Sequence, residues 1–588
     1  MSLRTKLLEQ GNTNFKKNTN VLLVVAPLLF CFPQIFLTLR NSSWQLIDDW
    51  LISSNYIMGQ PFVREYASMG RDFMSLSLYF RILNGLNLNS PMALYILSCL
   101  VIVTIISISG FFVFKLTLDL KTALISQFAL SLMTSLPEVL NGLLALEGKV
   151  FGGLMIFLSI WSRAIKNGNY GGGLGKKRIS QFLVIGIVFF ISIWISKEFI
   201  FLYIVAVFVL LIFFSINEKF YIYLPLTWNL VLTTSVGFLF YLVYQSIFIS
   251  RQVQPGGYAE SGLQPLVVTP WKIAGYTVYQ PDFLGSLVLI ILIFTLALFK
   301  FSKKKISSVG YLRSTLEGKT VNPLDLVRIV IGFSLIVFSI TGFFFLVFVW
   351  RYVQIRYSFP FTGSAIIAVA ILWNYVTEQL ESSKVTKRFF FFFIIFVLII
   401  SAFTSLGRGY TLALSRNMDR ELTTEVSSRI SSGQFSRLYV NFPTGSELIA
   451  GINALQANGS TETALPYESI DLSSSSSDVK LDANHEKSCR SLVALNLRDT
   501  GMEGVGWAGR FFTAQWDYNS QLKWLQKQDN LKLVFSKNSI HRLFLPFSTA
   551  TDQFIVYSEI ARSIKPSFTQ VTYGWSIYEF TEACRATK

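Results

Sequence analysis

The sequence predicts a polytopic α-helical membrane protein, with about eleven transmembrane helices followed by a C-terminal water-soluble α+β domain. Three observations lead there. Hydrophobic residues make up 52% of the 588 residues, and charged ones only 14%, against about a quarter in ordinary soluble domains. The mean hydropathy of +0.49 is concentrated in runs long enough to cross a ~30 Å hydrocarbon core. The lysines and arginines gather in short segments between those runs, as a positive-inside bias requires.

Spans are expected near 21–39, 91–114, 122–137, 148–162, 180–195, 199–215, 222–249, 283–300, 328–349, 359–376 and 389–405. The stretch 180–215 is too long for one crossing and is divided at Ser196, Lys197 and Glu198. The first run is long enough to span and lacks a small-residue cleavage site, so it reads as a helix rather than a removable signal. Arg4, Lys6, Lys16 and Lys17 precede it. With that end in the cytoplasm, Arg163 to Arg178, Lys300 to Lys305 and Lys384 to Arg388 also fall on the cytoplasmic side. Segments 40–90, 250–282 and 406–588 are then outside.

Residues 1–405 thus form the membrane domain and 406–588 an extracytoplasmic one. The second has strand-like stretches at 437–441, 491–497, 531–535 and 568–580, helical ones at 445–457 and 551–564, and a serine-rich loop at Ser473–Ser477. No internal repeat is visible. The aromatic content, 54 Phe and 24 Tyr, suits lipid-facing helices and interfacial belts.

The net charge of +17 does not point to nucleic acid, because its distribution is explained by topology. Cys31 and Cys99 lie in apolar runs as packing residues. Cys489 and Cys584 both fall in the outer domain, where they either pair in an oxidising compartment or remain two free thiols.

Acid–base chemistry in the membrane domain must use carboxylates, since both histidines, His485 and His541, lie after residue 405. No metalloprotease, hydrolase-elbow or phosphate-loop motif is present there. The first outer loop is the richest polar segment: Trp44 to Trp50 with the adjacent Asp48 and Asp49, then Arg64-Glu65-Tyr66, then Arg71-Asp72. One reading is a solvated interfacial loop. The other has one of the two aspartates as a general base facing an outward cavity, with basic groups nearby for an anion.

On these residues the sequence resembles the GT-C glycosyltransferases, polytopic enzymes that use polyprenyl-phosphate-linked sugars, such as aminoarabinose transferases, protein mannosyltransferases and arabinofuranosyltransferases. Asp48-Asp49 matches the family's acidic pair in the first outer loop. The run Phe73 to Gly85, followed by Ser90-Pro91-Met92-Ala93-Leu94, is similar in rhythm to the family's approach to the second span. Glu147, at the start of the fourth span, sits where many members carry an acid. Ser196-Lys197-Glu198 resembles the family's lysine turn between two spans. Arg351-Tyr352 and Arg356-Tyr357, before Phe359-Pro360-Phe361, resemble its basic entry to a late span. The resemblance covers roughly residues 20–405.

It implies a transferase that moves a sugar from a polyprenyl-phosphate carrier to a polar glycan, lipid or protein acceptor at the outer face, with inversion. Asp48 or Asp49 would be the catalytic base. Glu65, Tyr66, Arg71, Asp72, Glu147, Lys197, Arg351 and Arg356 would bind the substrates, the basic ones offsetting the leaving phosphate. Asp48, Asp49 and Glu147 are the candidate ligands should a divalent metal take part. The expected location is a plasma membrane, with a bacterial inner membrane favoured and the C-terminal domain periplasmic or extracellular. Two rivals are a transporter or flippase for lipid-linked sugars or other anions, and a scaffold displaying the outer domain.

Overall fold

The computed structural model describes residues 3–40, 91–141, 146–166, 273, 277, 280–303, 323–348, 355–379 and 384–431, and the strand segments 437–440, 468–471, 491–500, 531–545 and 567–580. Its helices are α1 (Leu3–Arg40), α2 (Pro91–Thr117), α3 (Leu120–Ser131), α4 (Leu136–Asn141) and α5 (Leu146–Lys166), then α6 (Pro281–Lys303), α7 (Pro323–Phe348), a 3₁₀ turn (Ile355–Ser358), α8 (Phe359–Gln379) and α9 (Lys384–Ser431). Five stretches among the described residues are long and apolar enough to cross a membrane: Asn18–Arg40, Tyr95–Thr117, Val327–Val347, Arg356–Thr377 and Val385–Tyr410. The chain is therefore an integral membrane protein. Helices α5 and α6 cover two more of the expected spans. The expected spans 180–195, 199–215 and 222–249 lie outside the described residues.

The bundle is apolar on both its inner and outer surfaces. Ile106, Phe151, Phe359 and Ile367 are fully buried, and the rings of Phe151 and Phe359 meet edge to face at 5.8 Å. Leu29, Ile291 and Phe392 point outward and are more than half exposed, which only a lipid surround makes favourable. Close approach needs small residues. At Gly342 any added Cβ would overlap the ring of Phe361, so α7 and α8 pack backbone against side chain there.

Backbone groups that helices leave open are filled from neighbours, as a water-free core demands. Pro27 inside α1 has no N–H, which frees the carbonyl of Leu23; the Gln127 amide of α3 donates to it at 2.8 Å. At the end of α2, Leu118 takes a left-handed φ of 56° and Asp119 caps α3, accepting from the N–H groups of Lys121 and Thr122. The buried Arg328 of α7 donates to the last carbonyls of α2, reaching Thr117 at 3.1 Å. A cation at a helix C-terminus also suits the dipole.

One expected span differs. The run 122–137 is not a single helix: α3 stops at Ser131, and a turn at Leu132–Ser135 leads to the short α4. A second difference lies in α9. The sequence changes character near Gly407, yet the helix runs on unbroken to Ser431, 48 residues or about 72 Å. That is more than twice a bilayer core, so its far part leaves the bundle.

There α9 meets a five-stranded sheet of order β2-β1-β3-β5-β4, with β1 (Arg437–Val440), β2 (Glu468–Asp471), β3 (Ser491–Thr500), β4 (Leu531–Leu545) and β5 (Ser567–Phe580). β1 pairs parallel with β2 and β3; β5 pairs antiparallel with β3 and β4, with a register shift between Leu533 and Phe535. Helix α9 packs on β4 and β5. Val426, Leu492, Val493 and Ile577 are fully buried. Arg429 of α9 lies between Glu425 on its own helix, at 2.9 Å, and Glu579 of β5, at 3.4 Å. The expected helices 445–457 and 551–564 and the loop Ser473–Ser477 lie outside the described residues.

Candidate functional site at the break between α3 and α4

The break is where polar chemistry concentrates. A helix interrupted inside a membrane protein must have its exposed N–H and C=O groups taken up by other parts of the protein. Here two helices do so. Asp282, in the first turn of α6, accepts from the Thr134 N–H at 3.0 Å and from its hydroxyl at 2.8 Å. From α9, Arg408 donates to the Thr134 carbonyl at 3.2 Å and the Ser405 hydroxyl donates to the Met133 carbonyl at 3.0 Å. Asp282, Arg408 and Ser405 are all buried.

The layer extends to α1 and to the 3₁₀ turn. Gln34 donates to Ser405 at 2.9 Å, and Gly409 allows this contact, since a Cβ there would collide with the Gln34 side-chain oxygen. On the other side, the Ser358 hydroxyl donates to Gln280 at 2.6 Å. Glu138, in the first turn of α4, accepts from the backbone N–H of Arg356 at 3.2 Å. The Arg356 guanidinium lies 5.1 Å from the ring centre of Tyr357 and donates to its hydroxyl at 3.3 Å.

Two classes of group result. Asp282 has both oxygens committed to Thr134, so it is a structural pin. Glu138 and Arg356 are half-buried, of opposite charge, and at the rim of the same layer. Within it, Gln34 Oε1, Ser135 Oγ and Gln280 Nε2 are buried without a hydrogen-bond partner among the described residues. Native proteins rarely leave such atoms bare, so the layer has capacity for water or a polar ligand. Below it, a groove of about 290 Å³ runs between α3, α6, α8 and α9, with Asp282, Ser286 and Ser401 at its sheet-side end.

Of the candidates read from sequence, Arg356 stands in this layer. Glu147 is the second residue of α5. Asp48, Asp49, Glu65, Tyr66, Arg71, Asp72, Lys197 and Arg351 lie outside the described residues, as do Cys489 and Cys584. Among the described residues no group of three or more His, Cys, Asp or Glu side chains is placed to hold a metal. Sequence reading missed Glu138, Asp282, Arg408 and Gln34. Each had a local signal: Pro137 before Glu138 and Pro281 before Asp282 mark helix starts, while Gln34 and Arg408 are polar residues within apolar runs.

No protein-family model matches the chain, and no curated protein matches its sequence. Among solved structures, the oligosaccharyltransferase of Archaeoglobus fulgidus in its apo form is similar at 11% identity and a TM-score of 0.40, over 86% of this chain and 72% of that one. The same enzyme tethered to an acceptor peptide gives 12% identity and 0.39, over 87% and 72%. The archaeal oligosaccharyltransferase AglB from Archaeoglobus fulgidus, in complex with an inhibitory peptide and a dolichol-phosphate, gives 11% and 0.39, over 82% and 70%. Likenesses this distant assign neither fold nor function to this chain.

Proposed function

We propose that the chain is a GT-C-type membrane glycosyltransferase, moving a sugar from a polyprenyl-phosphate carrier to a polar acceptor at the outer face of the membrane. In this reading it has about eleven spans, a cytoplasmic N-terminus, and residues 406–588 as an extracytoplasmic α+β domain. The observation that carries it is the acidic pair Asp48-Asp49 in the sequence that follows α1, the helix whose end Gln34 fastens to the polar layer. That layer supplies a rim carboxylate, Glu138, and a rim cation, Arg356.

The chemistry follows from the substrates. One carboxylate of the pair takes the proton of the acceptor hydroxyl as its oxygen attacks the anomeric carbon. The bond from that carbon to the phosphate oxygen breaks on the opposite side, inverting the centre. The departing lipid phosphate needs positive charge, which Arg356, Arg351 and Lys197 provide; a guanidinium grips two phosphate oxygens and an ammonium one. Glu65, Tyr66, Arg71, Asp72 and Glu147 orient the polar parts of donor and acceptor.

The α3–α4 break supports a second reading, because broken helices near a polar layer are what a transporter uses to hold an ion or head group. A single experiment separates the two. Purified protein in sealed vesicles is supplied with radiolabelled polyprenyl-phosphate sugars and a mixture of acceptors. Transfer leaves the label in a product free of lipid phosphate. Flipping leaves it on the carrier but exposes it to the other side. A label that stays on the carrier and changes side would replace the transferase reading with the transporter.

A further inference from the structure

The groove between α3, α6, α8 and α9 has an apolar wall, formed by Ile125, Leu289, Val369, Phe391, Ile394 and Leu398, and two unlike ends. At the sheet side stand Asp282, Ser286 and Ser401; at the other stand Lys387, Thr122 and Thr377. Lys387 is exposed, and Lys384 and Arg388 flank it on the first turns of α9. The nearby Asp119 is turned into the start of α3, where its oxygens accept from Lys121 N, Thr122 N and the Thr122 hydroxyl. From Lys387 to Ser401 the groove follows α9 for about 21 Å, more than the ~15 Å of one leaflet.

This polarity decides which way an occupant lies. Among the lining residues the sheet-side end offers a phosphate no cation, only the Asp282 carboxyl group and the Ser286 and Ser401 hydroxyls. At the opposite end it meets the Lys387 ammonium, with a hydrocarbon slot above it. We propose that the groove binds an anionic glycerophospholipid of the cytoplasmic leaflet, its phosphate on Lys387 and one acyl chain between α3 and α9. The site thus lies at the end of the groove away from Arg356, which stands in the turn that precedes α8. It does not rest on the proposed reaction, only on the basic end of the groove facing the cytoplasm.

Delipidated full-length protein is titrated with phosphatidylglycerol or phosphatidylcholine and the bound lipid counted by native mass spectrometry. One tightly held phosphatidylglycerol is expected, and a clear preference over phosphatidylcholine. Lys387→Gln should weaken it about fivefold, since a lysine near an anionic head group is worth about 1 kcal/mol. Lys387→Arg should restore binding. Ala370→Phe, which fills the slot from α8, should abolish it independently of charge. Equal retention of the two lipids, or unchanged phosphatidylglycerol binding in both the Lys387→Gln and Ala370→Phe proteins, would overturn the proposal. So would preferential retention of a polyprenyl phosphate from an equimolar mixture, which would give the groove to a carrier lipid instead.

Discussion

Helix α9 passes through two environments, and the same side-chain types are held differently in each. Up to Tyr410 it lies in the bundle, with Phe392, Phe396 and Phe403 turned to lipid. Three of its polar groups there close onto backbone: Arg408 on the Thr134 carbonyl, Ser405 on the Met133 carbonyl, and Thr404 on the Ile400 carbonyl. Beyond Tyr410 it lies on the sheet, and its polar groups close onto other charges: Arg429 on Glu425 and Glu579, and Glu421 on Lys537. In the bundle a group that loses its partner is left buried away from bulk solvent. On the sheet, where Lys537 is 43% exposed, water replaces whatever is lost. The two kinds of contact differ in what breaking them costs.

The contrast can be broken most forcefully at the α3–α4 turn. Asp282→Ala orphans both the N–H and the hydroxyl of Thr134 in a buried place, so it should destabilise the protein by about 3 kcal/mol. Thermal unfolding in a mild detergent reads this directly. A loss below about 1 kcal/mol would mean that water reaches the turn, and the bundle would then differ little from the sheet.

Gln127→Leu is a milder probe. It leaves the Leu23 carbonyl, freed by Pro27, without the donor that α3 supplies. About 1 kcal/mol is expected, because neutral hydrogen bonds between membrane helices are individually modest. Combining it with Pro27→Ala restores the helical partner of that carbonyl and should recover much of the loss. Failure of the pair to compensate would show that Gln127 acts through packing alone.

At the sheet, Lys537→Met should cost less than about 1 kcal/mol and become undetectable at high salt. Proteolysis rates within the C-terminal region measure it without unfolding the bundle. An effect as large as that of Asp282→Ala would erase the distinction between the two halves of α9.

The sequence reading recovered much of this architecture for reasons visible in particular residues. Strands were legible at 437–441, 491–497, 531–535 and 568–580 because short runs rich in apolar, β-branched or aromatic residues stand there, and the structure has β1, β3, β4 and β5 over them. β4 was read too short: Ser536-Lys537-Asn538-Ser539 resembles a turn, but pairing with β5 carries the strand through it to Leu545. β2 was missed, being four residues bounded by Glu468 and Asp471, with parallel pairing to β1 in place of any local pattern. The break after Ser131 was invisible to a count of apolar residues, since what holds it open comes from α6 and α9, far along the chain. The change of character near Gly407 set the end of the expected span at residue 405, yet the helix runs on, and Gly409 within it admits Gln34 of α1. The candidate site was legible only in part for the same reason. Arg356 was found from its local motif, whereas Glu138 and Arg408 matter through partners that only the fold brings near.

The reaction itself is tested most directly at the acidic pair. Asp→Asn keeps the shape of the side chain and removes the base, and loss of a general base costs about 10²–10⁴-fold in rate. Sugar transfer from a labelled polyprenyl-phosphate donor is measured for Asp48→Asn and Asp49→Asn proteins matched for expression and thermal midpoint, with donor binding measured in parallel. We expect one of the two, with Asp49 slightly favoured, to lose nearly all transfer while still binding the donor. Wild-type transfer rates in both variants would contradict the carboxylate mechanism and with it the account of the site.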